Sequence, residues 1–295
     1  MHAHRPLPND SDLAQAVAVL ARAQQDATWN RQQIANQLRS LLREYYPSAL
    51  AAADGWKNGL CRPEVREVLR SAPPPTRAAR LTRTQLQAAL KRAGRQRGVE
   101  AEAERLRDVF RADWAHQPLP VENALGKQML ALLIQLEAAC TAADDLAEAV
   151  EEAFPQHPDA ETILSFPGLG VQLGARVLAE IGDDRNRFAD ARRLKAYASS
   201  SPITRASGKK SSITRRWVKN DRLNHVGYLW AFSAITASPG AKAHYRHRRD
   251  EHSDWHAAAQ RNLFNRMIGQ LYHCLQHRKL FDENTAFPVH VAVAA

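Results

Sequence analysis

Ser207 lies in the run Pro202-Ile203-Thr204-Arg205-Ala206-Ser207-Gly208-Lys209-Lys210, a small hydroxyl beside a glycine at the head of a basic stretch. Arg205, Lys209, Lys210, Arg215, Arg216, Lys219 and Arg222 are set against one acid, Asp221, in this segment. Clustered guanidinium and ammonium groups attract phosphate. A glycine lets the backbone come close to a bulky ligand. A serine held there could meet a nucleic-acid phosphodiester. The competing reading is a solvated basic loop with an incidental Ser-Gly.

Other residue groups carry weaker chemistry. His252/His256 and His273/His277 have the i,i+4 spacing that puts two imidazoles on one helix face. No glutamate stands between them in the HExxH order of a zinc site, so no metal ligands are assigned. Asp144, Asp145, Glu148, Glu151 and Glu152 read as a solvated helix face. Two-metal phosphoryl transfer would need convergent acids, and no spacing singles out such a set. Trp217 and Tyr245 lie among cations and could stack on bases, although packing is the commoner role.

The elements that must position these residues are helical. From Ser11 to Tyr46 there is no proline or glycine, and Leu13, Ala16, Val17, Leu20, Ile34, Leu38, Leu41 and Leu42 recur at helical spacing. Asp10 or Ser11 offers the N-cap, and Pro47 closes the run. A second long run, Val121 to Phe154, carries Leu125, Met129, Leu132, Leu133, Leu136, Cys140, Leu146 and Val150. Together they suggest a long antiparallel, coiled-coil-like pair. Between them, Pro73-Pro74-Pro75 predicts an extended spacer. Thr82-Arg83-Thr84-Gln85 predicts a capping-box start to a short helix, and Glu102–Trp114 another helix.

Pro155 and Pro158 place the domain boundary, giving a helical linker over 1–155 and a second domain over 156–290. The second domain opens with Glu161–Ser165, the turn Phe166-Pro167-Gly168-Leu169-Gly170 and the apolar run Val171–Gly182. That order predicts a helix-hairpin-helix. Gly168 and Gly170 would free the turn to approach phosphate, beside the positive end of the following helix. Such contacts read backbone rather than sequence. Short helices follow at Asp190–Tyr197, Asp221–Thr236 and Trp255–His277, with Pro239-Gly240 as a turn. No alternating strand pattern stands out, so the fold class is mainly α.

The chain of 295 residues has a formal net charge of +10 and an isoelectric point near 9.8, which points to an acidic partner such as nucleic acid. No stretch approaches the roughly 18 apolar residues of a membrane span, and Met1-His2-Ala3-His4-Arg5-Pro6 is no signal peptide. Cys61, Cys140 and Cys274 are scattered and read as reduced thiols of a cytoplasmic protein.

A series of motifs carries a family resemblance. Ser165-Phe166-Pro167-Gly168-Leu169-Gly170, Ala179-Glu180-Ile181-Gly182-Asp183, Arg187-Phe188-Ala189, Leu194-Lys195-Ala196-Tyr197-Ala198, Ser207-Gly208-Lys209 and Asp221-Arg222-Leu223 occur in one order. Trp230-Ala231-Phe232-Ser233-Ala234, Ser238-Pro239-Gly240-Ala241, Asn265-Arg266 and Tyr272-His273-Cys274-Leu275 follow. The second half resembles the C-terminal domain of the insertion sequence 110 family of transposases, related to the pilin-gene inverting recombinase. His4-Arg5-Pro6-Leu7-Pro8, Leu20–Asp26 and Leu41–Pro47 resemble that family's helical linker.

The resemblance implies an RNA-guided recombinase in which a serine attacks a DNA phosphodiester and holds a phosphoserine intermediate during strand exchange. The matching nucleophile is Ser207, with Gly208, Lys209 and Arg205 around it; the rival hydroxyls Ser199, Ser200 and Ser201 do not match. The family's acids, an Asp-Glu-Asp-Asp set binding Mg2+, sit in a resolvase-like domain. The resemblance is already under way at Met1, so that domain is expected to be missing. The chain itself is then expected to bind no cofactor and not to cleave DNA unassisted. Implied partners are DNA, a structured guide RNA, and a further copy or a full-length transposase, in a nucleoid-associated setting. A non-enzymatic binding remnant or modulator is the alternative; a stand-alone nuclease using internal acids is the lesser one. Ser199 stands where relatives usually carry glycine, which would strain the backbone if that position needs positive φ.

Overall fold

A computed structural model describes residues 8–208, 210–214 and 216–288. The chain folds as two compact units, Gln25–Asp145 and Met1–Gln24 with Leu146–Ala295. The long helices α1 (Asp12–Tyr45) and α7 (Leu119–Ala153) cross that division. Both occupy the two runs expected to be helical. Ser11 caps α1, its hydroxyl accepting from the Ala14 N–H at 3.2 Å.

In the Gln25–Asp145 unit, α1 and α7 run antiparallel. Arg31 pairs with Asp144 at 3.4 Å, while Gln117 donates to the Glu44 carbonyl at 3.1 Å, so sequence numbers rise in opposite directions. Ile34, Leu38, Leu41 and Leu42 pack with Met129, Leu133, Leu136 and Cys140 in one core. Five shorter helices complete it: α2 (Pro47–Ala53), α3 (Pro63–Ser71), α4 (Pro75–Ala78), α5 (Arg83–Arg92) and α6 (Val99–Arg111). Thr82 closes the capping box with Gln85 as expected. The proline run is extended only in part. Pro74 is extended, but Pro75 opens α4, where a missing N–H costs nothing. The hydroxyls of Tyr45 and Tyr46 donate to the Pro73 and Ala72 carbonyls, each at 3.1 Å, and pin the run in place.

Two cysteines far apart in sequence meet here. The Cys140 thiol lies 4.0 Å from the Cys61 carbonyl. The neighbouring Cys140 thiol first, then Arg31 and Arg66, hold the Cys61 thiol below its ordinary range.

The second unit holds α8 (Ala160–Leu164), α9 (Val171–Ile181), α10 (Ala191–Tyr197), strands β1 (Ile203–Ser207) and β2 (Lys210–Thr214), then α11 (Asp221–Ala237), α12 (Pro239–Asp250), α13 (His256–His277) and α14 (Glu283–Ala286). Its core centres on Trp230, Phe166, Leu223, Leu263 and Met267. Pro239 starts α12 rather than a turn, because Ser238 caps the helix through the Ala241 N–H at 2.9 Å and proline fits the first position. The antiparallel hairpin β1–β2 corrects the expectation of no strand. Five residues per strand are too few, and too polar, to show alternation. Among the described residues no helix is long and apolar enough to cross a membrane.

Candidate nucleic-acid interface

The serine motif builds the hairpin itself. Ile203 pairs with Thr214, Arg205 with Ser212 and Ser207 with Lys210, so two positions separate the strands, the first being Gly208. Gly208 has φ +56, and a Cβ there would meet nothing within 4 Å. Positive φ at the first loop residue is what a two-residue hairpin needs to match strand twist. Ser207 therefore ends β1 directly opposite Lys210, and directly paired side chains leave the same face about 5 Å apart. Both residues are exposed. The β-branched pairs Ile203-Thr204 and Ile213-Thr214 around Ser-Gly were the available sequence signal.

The root of the hairpin is fixed by a polar network. The Asn220 N–H donates to the Tyr197 carbonyl at 2.9 Å, joining the segments that enter and leave the hairpin. The Asn220 amide donates to the Tyr197 hydroxyl at 2.7 Å and to Glu180 Oε2 at 2.6 Å. Its oxygen caps α11 through the Leu223 N–H at 2.7 Å. Glu180 is buried, and the Arg22 guanidinium holds its other oxygen at 2.8 Å. A buried carboxylate survives only when paired and hydrogen-bonded. Glu180 is the one acid of α9, and that was the hint of this role.

The rival hydroxyls are committed elsewhere. Ser200 and Ser201 donate to Asn265 Oδ1 at 3.0 and 3.2 Å. Ser199 is buried and donates to the Arg216 carbonyl at 3.4 Å. Its φ is +59, so this position does demand the left-handed region. We expect Ser199→Gly to stabilise the protein by about 0.5–1 kcal/mol, since relief of the left-handed strain outweighs one long hydrogen bond. Thermal unfolding checks this; a lower melting temperature would show that the Ser199 hydroxyl matters more than the backbone.

The loop between α8 and α9 splits its two glycines. Gly168 has φ +82, and a Cβ there would lie 2.6 Å from the Ala234 nitrogen, so the turn docks on the α11 backbone. Trp230 Nε1 donates to the Pro167 carbonyl at 3.0 Å, and its ring meets Phe166 edge-on at 5.6 Å. Gly170 is exposed at the start of α9, with open space around it.

Residues 160–246, which contain this turn and the whole hairpin, match the family model described as Transposase IS116/IS110/IS902 family. The mini-circle protein of Streptomyces coelicolor designated as candidate transposase for IS117 is 65% identical over 295 residues, covering 100% of this chain and 71% of that protein. The chain belongs to this transposase family. A 42 kDa protein of insertion element IS900 from Mycobacterium paratuberculosis is 33% identical over 175 residues, 59% of this chain and 44% of that one. The 43.6 kDa protein of insertion element IS110 from Streptomyces coelicolor is 27% identical over 306 residues, 100% of this chain and 70% of its own length.

The remaining basic residues of the transposase segment are placed unevenly. Lys210 is exposed at the tip, while Arg216 and Arg222 are half-buried where the chain leaves the hairpin. Lys219 forms an ion pair with Asp221. Lys209, Arg215 and the Arg205 side chain lie outside the described residues. Burial, then the neighbouring Arg266, push the Lys195 ammonium below its ordinary range, and its carbonyl anchors the Ser200 N–H at 3.0 Å.

Among the described residues no group of three or more His, Cys, Asp or Glu is placed to hold a metal ion. His256 is engaged with the Tyr245 hydroxyl at 2.7 Å, and His277 with the His273 carbonyl at 2.9 Å. That bond and the core beneath it make Tyr245 a packing residue, whereas Trp217 is 71% exposed. Sequence reasoning missed Tyr228 and Phe232, one turn apart on α11 and both open to solvent.

Proposed function

We propose that this chain is a DNA-recombining transposase whose β1–β2 hairpin presents Ser207 to a phosphodiester. One observation carries the reading: Ser207 is exposed beside Lys210 at the hairpin tip, whereas Ser199, Ser200 and Ser201 are already hydrogen-bonded at its root. A hydroxyl at the end of a projecting ribbon can reach a backbone that a half-buried one cannot.

The step is a transesterification. Ser207 Oγ forms a bond to phosphorus and the ester bond to one deoxyribose oxygen breaks. The serine proton passes to solvent and the leaving oxygen takes one up. Attack by the new strand's hydroxyl reverses the exchange, so no net oxidant, reductant or nucleotide is consumed. Lys210 offsets phosphate charge as the trigonal-bipyramidal centre forms. A structured RNA from the element and a further copy of a transposase are proposed partners, on the family resemblance.

The DNA contact is tested separately from the chemistry. Lys210→Ala should weaken binding of element-end duplex by about threefold to tenfold and lower the salt slope of log K by about one. Unchanged affinity and slope would remove the hairpin from the DNA interface.

A further inference from the structure

We propose that a cavity at the root of the hairpin receives an unpaired nucleobase; the inference rests on the hairpin contacting DNA. The cavity has a volume of about 240 Å³ and opens between α11 and α13. Ser199, Lys219, Asn224, Tyr228, Gln260 and Arg261 border it. Ser199 precedes β1 and Lys219 follows β2, so a strand lying along the hairpin passes its mouth.

Gln260 is the deciding residue. It is 1% exposed, and among the described residues neither its side-chain nitrogen nor its side-chain oxygen has a hydrogen-bond partner. Buried amides in folded proteins are almost always satisfied, because an unmade hydrogen bond is costly. A glutamine amide offers a donor beside an acceptor, and adenine presents the complementary pair on one edge. Beneath it, α11 and α13 are pressed together: a Cβ on Gly227 would lie 2.2 Å from Phe264. The cavity therefore has an apolar floor formed by Gly227 and Phe264, with Gln260 and Asn224 as the amides beside it.

The border suits the rest of a nucleotide. Tyr228 is half exposed and supplies a ring for stacking. Phe232, one turn further along α11, extends the aromatic face. Lys219 and Arg261 add cations for the flanking phosphates. A base leaves the stack at least cost where the duplex is already interrupted, which is the state of DNA during strand exchange.

The test uses the full chain at one fixed salt concentration with three short duplexes: fully paired, with a single bulged deoxyadenosine, and with an abasic residue at the bulge. The wild type should bind the adenine bulge about tenfold tighter than the abasic one. Gln260→Met should cut that preference to less than about threefold, with a melting temperature unchanged or raised because an unpartnered amide is gone. Ala257→Phe, which fills the cavity from its exposed edge, should also abolish the preference while leaving fully paired DNA bound. Equal affinity of the wild type for both bulges, or a preference that survives both substitutions, would overturn the proposal. Failure to bind any of the three duplexes would overturn the DNA-contact reading on which it rests.

Discussion

Ser207→Ala should abolish covalent capture of DNA, with a loss of about a thousandfold or more in strand-joining rate, and leave duplex affinity within about twofold. Removing a nucleophile eliminates the covalent step rather than slowing it, and only background chemistry remains. Affinity should hold because the hydroxyl contributes one neutral contact at a tip where charge dominates binding. Ser212→Ala is the control. Ser212 is exposed on the same hairpin, paired with Arg205 two positions further from the tip, and its loss should leave the rate unchanged. The chain spans 71% of its 65%-identical relative, so the reaction should also contain a full-length family member whose own matching serine is alanine. Strand joining by Ser207→Ala under those conditions would exclude Ser207.

Gly168→Ala is the substitution with the largest expected effect on stability. An added Cβ would lie 2.6 Å from the Ala234 nitrogen and 2.9 Å from the Ser233 carbonyl carbon, both backbone atoms that cannot swing aside. The position also has φ +82, where alanine is strained. Left-handed strain and overpacking together cost about 3–4 kcal/mol. That is a large share of a typical folding free energy of about 5–15 kcal/mol, and should lower the melting temperature by roughly 10 °C. Gly170→Ala makes the comparison clean, since its Cβ would meet nothing within 4 Å and its φ is −98. It should cost less than about 0.5 kcal/mol. Equal destabilisation by the two would mean that the turn does not dock on α11 as described.

Much of this arrangement was legible in the sequence, for identifiable reasons. The first long helix announced itself because Ser11–Tyr46 holds no proline or glycine, and both did because their apolar residues recur at helical spacing. Thr82 and Gln85 named their own helix start. The strain at Ser199 was open to anticipation from the family resemblance, because glycine is the usual residue where a backbone needs positive φ. What escaped was long-range or short-lived in sequence. The hairpin escaped because its strands hold five residues each and carry hydroxyls and cations. Glu180 could not be recognised as an anchor without Arg22 and Asn220, which lie 158 and 40 residues away. Periodicity sets Tyr228 and Phe232 on the face of α11 opposite Val226 and Trp230, but not that this opposite face is left open to solvent.

The central claim is that Ser207 becomes bonded to DNA phosphorus. The most direct measurement is to quench a strand-exchange reaction with denaturant, digest the DNA and the protein, and locate the nucleotide adduct by mass spectrometry. The account expects the phosphonucleotide mass on Ser207 in the wild type and its disappearance in Ser207→Ala. An adduct on Ser212, on Ser199–Ser201 or on a tyrosine, or strand joining with no adduct on this chain, would contradict it.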